Sequence, residues 1–294
     1  MRAVGLIAVI ASLALGIAAV APGAFAPTLS VPGQYATVAE AIDAAPAGAV
    51  IQLGPGRYAG PLQITKPLSL VGAPNGASRV VAADGTTAIA VRDVRGVRLQ
   101  GLVVLGGDYG ISVDESDAVQ LIGNQVAGAR MAGIRLSRAS ALITGNEIRA
   151  GTGPYGMGIE LANTMSRPAS LITGNVVAGA THEGIILHNS HAMIEGNTVT
   201  GSGLRGISIS EMSMATVAKN TIMDNADAGI WVVDSSMADI VGNHIGAMRP
   251  GPEGRMNGIG VFYYGEVMLG GGNRIEVDAD RAVVATLGGI VESR

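Results

Sequence analysis

The 294-residue chain has no cysteine, so disulfides, thiolate metal sites and a lipid-anchor cysteine are all excluded. Stability must come from packing alone. Aromatic residues make up 3% of the chain, which leaves few platforms on which a sugar ring could stack. The formal net charge of −4 gives no basic footprint for a nucleic acid. There is no dense leucine framework, which excludes a leucine-rich repeat. No period near 40 residues occurs, which excludes propeller blades. Within residues 184–199 the apolar runs are too short for helices and alternate with period two, as in strands.

What the chain does have is a repeat. An Asn precedes an apolar strand pattern at 124, 146, 175, 197, 220, 243 and 273, with steps of 22, 29, 22, 23, 23 and 30 residues. Gly-Ile recurs in step with it, at Gly110, Gly133, Gly158, Gly184, Gly206, Gly229 and Gly258. Two markers sharing one period define a solenoid. In residues 184–199, Ile185 and Leu187 face one way and Ile186 and His188 the other. Ala192 and Ile194 face inward, and Gly196-Asn197 turns the chain. Three short strands and three corners per 22 residues predict an all-β, single-stranded parallel β-helix of about ten coils. Ala141, Ala192, Ala215 and Ala238 form one inward level, and Ile143, Ile194, Val217 and Ile240 another. The corner Asn side chains should stack as an amide ladder. The longer steps mark insertions near 151–168 and 248–256 that border a binding face.

The ends carry separate signals. Residues 3–21 are uncharged and follow Arg2, which predicts a signal peptide over 1–26 ending at Ala24-Phe25-Ala26. Pro27 disfavours that cut, so an uncleaved membrane anchor is the alternative. Either way the location is extracytoplasmic, periplasmic or secreted. Thr37 and Glu40 form a capping box, Val38, Ile42 and Ala45 recur at helical spacing, and Pro46 ends the run. This predicts a helix over 36–45 that covers the open end of a single domain spanning 33–290.

The segments Tyr35–Pro46, Val50–Tyr58 and Ile64–Gly72 resemble the opening of right-handed β-helix proteins of the carbohydrate-binding and sugar-hydrolase type. They also resemble periplasmic maturation factors of nitrous oxide reductase. The first resemblance implies a polysaccharide partner. The second implies a periplasmic protein partner and a link to copper, with no catalytic motif to carry over. The opening is also similar to pectin methylesterases, but their Gln-Asp-Thr-Leu and Asp-Phe-Ile-Phe-Gly motifs are missing. The adjacent Asp pair typical of polygalacturonases is missing too.

Aligning on Gly-Ile brings Arg135, Glu160, His182, Glu183, His188, Arg205 and Trp231 onto or beside one exposed sheet, as a groove for a polymer along the axis. Glu160 and Glu183 could serve as the two carboxyls of hydrolysis. His188 or His182 could be the base of a lyase or epimerase, with Arg135 or Arg205 neutralising a substrate carboxylate. Trp231, with Phe262, Tyr263 and Tyr264, would be the aromatic contribution. The plain alternative is a solvated charged face on a passive surface module. Aligning on the corner Asn stacks His191, Met214 and Met237 outward in successive coils. That set suits Cu(I), and the plain alternative is an apolar ladder of gap-filling methionines. A monomer is expected, and no cofactor is required by the sequence.

Overall fold

The computed structural model describes residues 26–149 and 151–293. The segment read as a signal peptide therefore lies, but for its last residue, outside the described residues. Each coil runs through three short parallel strands, and equivalent strands stack into three sheets of 12, 10 and 10 strands. The solenoid thus has about 12 turns, where the sequence repeat suggests ten. The repeat undercounts because the first and last coils lack its Gly-Ile and Asn markers. Pairing begins at Thr28–Val31 and continues to Ile290–Ser293.

The sheet that begins with Gly-Ile, called here the long sheet, contains strands such as Ala132–Ser137, Met157–Ala162, Ile185–His188, Arg205–Ser210 and Asp227–Val232. The middle sheet follows, with strands such as His191–Glu195 and Met214–Ala218. After the Asn corner comes the short sheet, for example Thr198–Thr200. Ile143, Ile172, Ile194, Val217 and Ile240 form one fully buried file, as the spacing predicts. Burying each such side chain contributes about 1.5–3 kcal/mol.

The Asn residues form the predicted ladder. Asn124, Asn146, Asn175, Asn197, Asn220 and Asn243 are each at most 1% exposed. Each donates from both its backbone N–H and its Nδ2 to Oδ1 of the next Asn. For Asn175 to Asn197 both distances are 2.9 Å. Nδ2 also donates to a carbonyl of the preceding coil, Ile143 in that case, at 2.9 Å. A second ladder was not foreseen. At the corner between long and middle sheets, the N–H groups of Thr164, Ser190 and Ser213 donate to the hydroxyls of Ser190, Ser213 and Ser236 at 3.2, 3.0 and 3.1 Å.

The Gly of the pairs at 110, 158, 184, 206, 229 and 258 has a steric cause. A Cβ on Gly206 would sit 2.6 Å from Ile222 of the short sheet and 2.7 Å from the Gly229 carbonyl. Only glycine lets the long sheet pass that close to its neighbours.

The helix spans Val38–Ala44, with Thr37 as N-cap and the reciprocal Thr37–Glu40 bonds in place. Val38, Ala41 and Ile42 are buried in the core at the N-terminal end. The insertion expected over 151–168 is divided between two corners. Part lies before the strand Met157–Ala162 and part between Ala162 and Ser170. A single offset in the Asn spacing cannot show which corner holds the extra residues.

Candidate functional site

The outward file of the long sheet has the predicted register: Ser112, Arg135, Glu160, Ile186, Ser208, Trp231 and Gly260 are consecutive partners. Two residues on, Ala162, His188 and Ser210 align likewise. The loop before Met157, the residues before Gly184 and the corner after Ser210 raise walls around the middle of this sheet. They enclose an open groove of about 420 Å³ lined by Tyr155, His182, Glu183, Ile186, His188, Arg205, Ser208, Ser210, Glu211 and Asp234, among others.

His188 is held by two neighbours. Its Nδ1 lies 3.1 Å from Glu211 Oε1 and 3.2 Å from Ser210 Oγ. Ser210 donates its own proton to the Leu187 carbonyl at 2.9 Å. A carboxylate accepts only, and the serine proton is committed, so the network assigns the imidazole proton to Nδ1. In the neutral imidazole that leaves the lone pair on Nε2. In the adjacent file Glu160 is mostly buried. Burial pushes its carboxyl above the ordinary glutamate range, against the opposing pull of Arg135 and then His188. Arg135 Nε is 3.4 Å away. The backbone partner of Glu160 in the next coil is Ile186, two residues before His188.

The other predicted residues are engaged elsewhere. Arg135 also bonds Asp114 at 3.2 Å. Arg205 lies between Glu183, at 3.4 Å, and Asp227, at 3.1 Å. Both guanidiniums are thus ion-paired, and both side chains stay partly exposed, at 25% for Arg135 and 19% for Arg205. The outward spacing is right, but each also has carboxylates within reach in neighbouring coils or beside the next strand. Glu183 has a side chain only 2% exposed, covered by Arg205 and by His182, whose Nδ1 contacts its Oε2. Trp231 is 5% exposed. Its ring stacks on Phe262 at 4.4 Å, and Arg205 lies 4.3 Å over the ring, so it offers a sugar no free face. Tyr263 and Tyr264 are exposed, in left-handed backbone.

Sequence reasoning missed four contributors: Ser210 and Glu211 as orienters of His188, Asp227 and Tyr155. Asp227 is fully buried and also bonds Arg255 at 2.7 Å. It sits two residues before Gly229, and taking the Gly-Ile alignment one place further upstream would have included it. Tyr155 is exposed and packs its ring edge-on to His182, with centroids 5.7 Å apart.

His191, Met214 and Met237 pair in one file of the middle sheet, as predicted. All three are partly buried, and His191 Nε2 is buried with no hydrogen-bond partner in the protein. Among the described residues no cluster of three or more His, Asp or Glu is arranged to hold a metal. No helix among them is long and apolar enough to cross a membrane.

The geometry so far defines a parallel β-solenoid with an ionisable groove on one sheet. The chain belongs to the right handed beta helix region family, which matches residues 87–245 and 152–290. No curated protein sequence matches it. Its fold is similar to that of several solved structures. One is an alginate lyase from Paenibacillus sp. str. FPU-7, at 16% identity over 90% of this chain and 99% of that one, TM-score 0.70. Another is pectate lyase Pel9A, at 11% identity over 91% and 79%, TM-score 0.58. A third is the A-module of the Azotobacter vinelandii mannuronan C-5 epimerase AlgE4, at 15% identity over 92% and 96%, TM-score 0.51. At these identities the likeness is one of fold.

Proposed function

We propose that this protein is an extracytoplasmic β-helix protein that binds a polysaccharide along the long sheet and acts on it by acid–base catalysis. Glu160 is the proton donor and His188 the base, held by Glu211 and Ser210. Arg205, His182 and Glu183 form part of the groove wall, with Arg135 and Trp231 in the same sheet beside it. The observation that carries this reading is the pairing of a carboxyl raised by burial with an imidazole whose Nδ1 proton is fixed. The solved structures of like fold named as alginate lyase, pectate lyase and mannuronan epimerase support a glycan as the partner. The uncharged segment 3–21 supports export.

The test is turnover of a broad glycan panel by the wild type, Glu160→Gln and His188→Ala. Each variant should lose about 10²–10⁴-fold in rate on whichever glycan the wild type processes. Variants as active as the wild type would remove the assignment.

A second reading rests on His191. An orphaned buried imidazole nitrogen beside two thioethers fits a soft monovalent ion such as Cu(I), in line with the copper link that the opening segment implies. Titration of Cu(I) against a competing chelator should then show one site weakened at least tenfold by Met214→Leu. Binding unchanged in that variant would eliminate it.

A further inference from the structure

The charge of the groove limits which glycan can enter it. Its lining carries three carboxylates, on Glu183, Glu211 and Asp234, and one guanidinium, on Arg205. That guanidinium is already shared between Glu183 and Asp227. The next arginine along each direction is likewise held between two acids. Arg135 lies between Asp114 and Glu160, and Arg255 between Asp227 and Glu253. Both lysines lie away from the groove. Lys66 bonds the Asp43 and Ala45 carbonyls, and Lys219 pairs with Glu195. Meanwhile Glu211 and Asp234 are exposed on the groove's rim, and Asp234 makes no ion pair among the described residues. A polymer with one carboxylate per sugar would bring a row of anions against this rim, where the nearby guanidiniums are already ion-paired. At low ionic strength that repulsion acts over several sugars. Exposed tyrosines stand beside the groove at Tyr155 and on the same corner as the rim at Tyr263 and Tyr264, where uncharged sugar faces could rest.

We infer that the groove takes a carboxylate-free glycan, neutral or bearing amino groups, and that it excludes polyuronates. The inference rests on the glycan reading above. It also selects the reaction. Without a uronate there is no carboxylate-activated C5 proton to remove, so the proton taken by His188 comes from water. The glycosidic C–O bond breaks, the Glu160 proton goes to the departing oxygen, and the water oxygen bonds to the anomeric carbon as its proton passes to His188.

The experiment is equilibrium binding of the full chain at low ionic strength, with and without millimolar Ca²⁺. The probes are polymannuronate, polygalacturonate, a neutral β-glucan, a xylan and a partly deacetylated chitin. Glu211→Gln/Asp234→Asn is measured beside the wild type. The expected result is binding of at least one carboxylate-free glycan and at least tenfold weaker binding of both polyuronates. The double variant should narrow that gap. Polyuronate binding as tight as that of any other probe, with or without Ca²⁺, overturns the charge inference. If His188→Ala or Glu160→Gln also abolishes turnover of that polyuronate, the glycan reading survives. Binding of none of the five overturns both.

Discussion

Replacing Asn175 with Ala should destabilise the solenoid far more than replacing Asn273, although both belong to one ladder. Asn175 Oδ1 accepts from the backbone N–H and Nδ2 of Asn146, each at 2.9 Å. Its own Nδ2 donates to Asn197 Oδ1 and to the Ile143 carbonyl, each at 2.9 Å. The Ala variant leaves the buried Asn146 N–H without its acceptor, a cost of about 1–3 kcal/mol, and removes three further bonds worth roughly 1 kcal/mol each. The sum is about 4–6 kcal/mol. Asn273, at the partly buried end of the ladder, accepts from Asn243 N–H at 2.9 Å and Nδ2 at 3.1 Å. Water can reach Asn243 once that amide is gone, so Asn273→Ala should cost about 1–2 kcal/mol. Asn175→Asp keeps the acceptor but loses the donors and buries a charge, so its deficit should be large at neutral pH and shrink in acid as the carboxyl gains a proton. Urea denaturation followed by far-ultraviolet circular dichroism reads all three. An Asn175→Ala cost under about 1 kcal/mol, or one equal to that of Asn273→Ala, would refute this account of the corner.

Other outcomes follow from the same structure. Gly206→Ala should cost about 1–3 kcal/mol by overpacking against Ile222 and the Gly229 carbonyl, measured by the same denaturation. Arg205→Leu strips a cation from the buried Glu183 and Asp227 and should cost about 3 kcal/mol, with His182 and Arg255 limiting the loss. Arg138→Ala, which breaks an exposed pair with Glu115, should leave the denaturation midpoint close to that of the wild type. Because burial raises the Glu160 carboxyl, the folded protein keeps a proton that the unfolded chain has already lost. Wild-type stability should therefore fall as pH rises from the ordinary glutamate range through that raised value. Glu160→Gln should lack that component of the decline.

The long period made neighbours across coils legible. The file Arg135, Glu160, Ile186, Ser208 and Trp231 has the register that Gly-Ile spacing predicts, and His191, Met214 and Met237 stack as the Asn spacing predicts. What spacing could not show is how outward side chains pair once they are there. Arg205 and Arg135 face outward yet are held by carboxylates, and Trp231 faces outward yet is covered by Phe262. Corner residues were the hardest to place. Glu211 and Asp234 have left-handed backbone, which redirects their side chains in a way that a period-two pattern does not encode. Asp227, also left-handed, turns fully inward beneath two arginines.

The central claim is that a sugar meets Glu160 and His188 on the long sheet. A crystal structure of Glu160→Gln, soaked with an oligosaccharide of the tightest-binding glycan, tests it directly. The account predicts a sugar ring in the groove, with an oxygen within hydrogen-bond reach of residue 160 and His188 Nε2. A saccharide bound only on the middle or short sheet would contradict it.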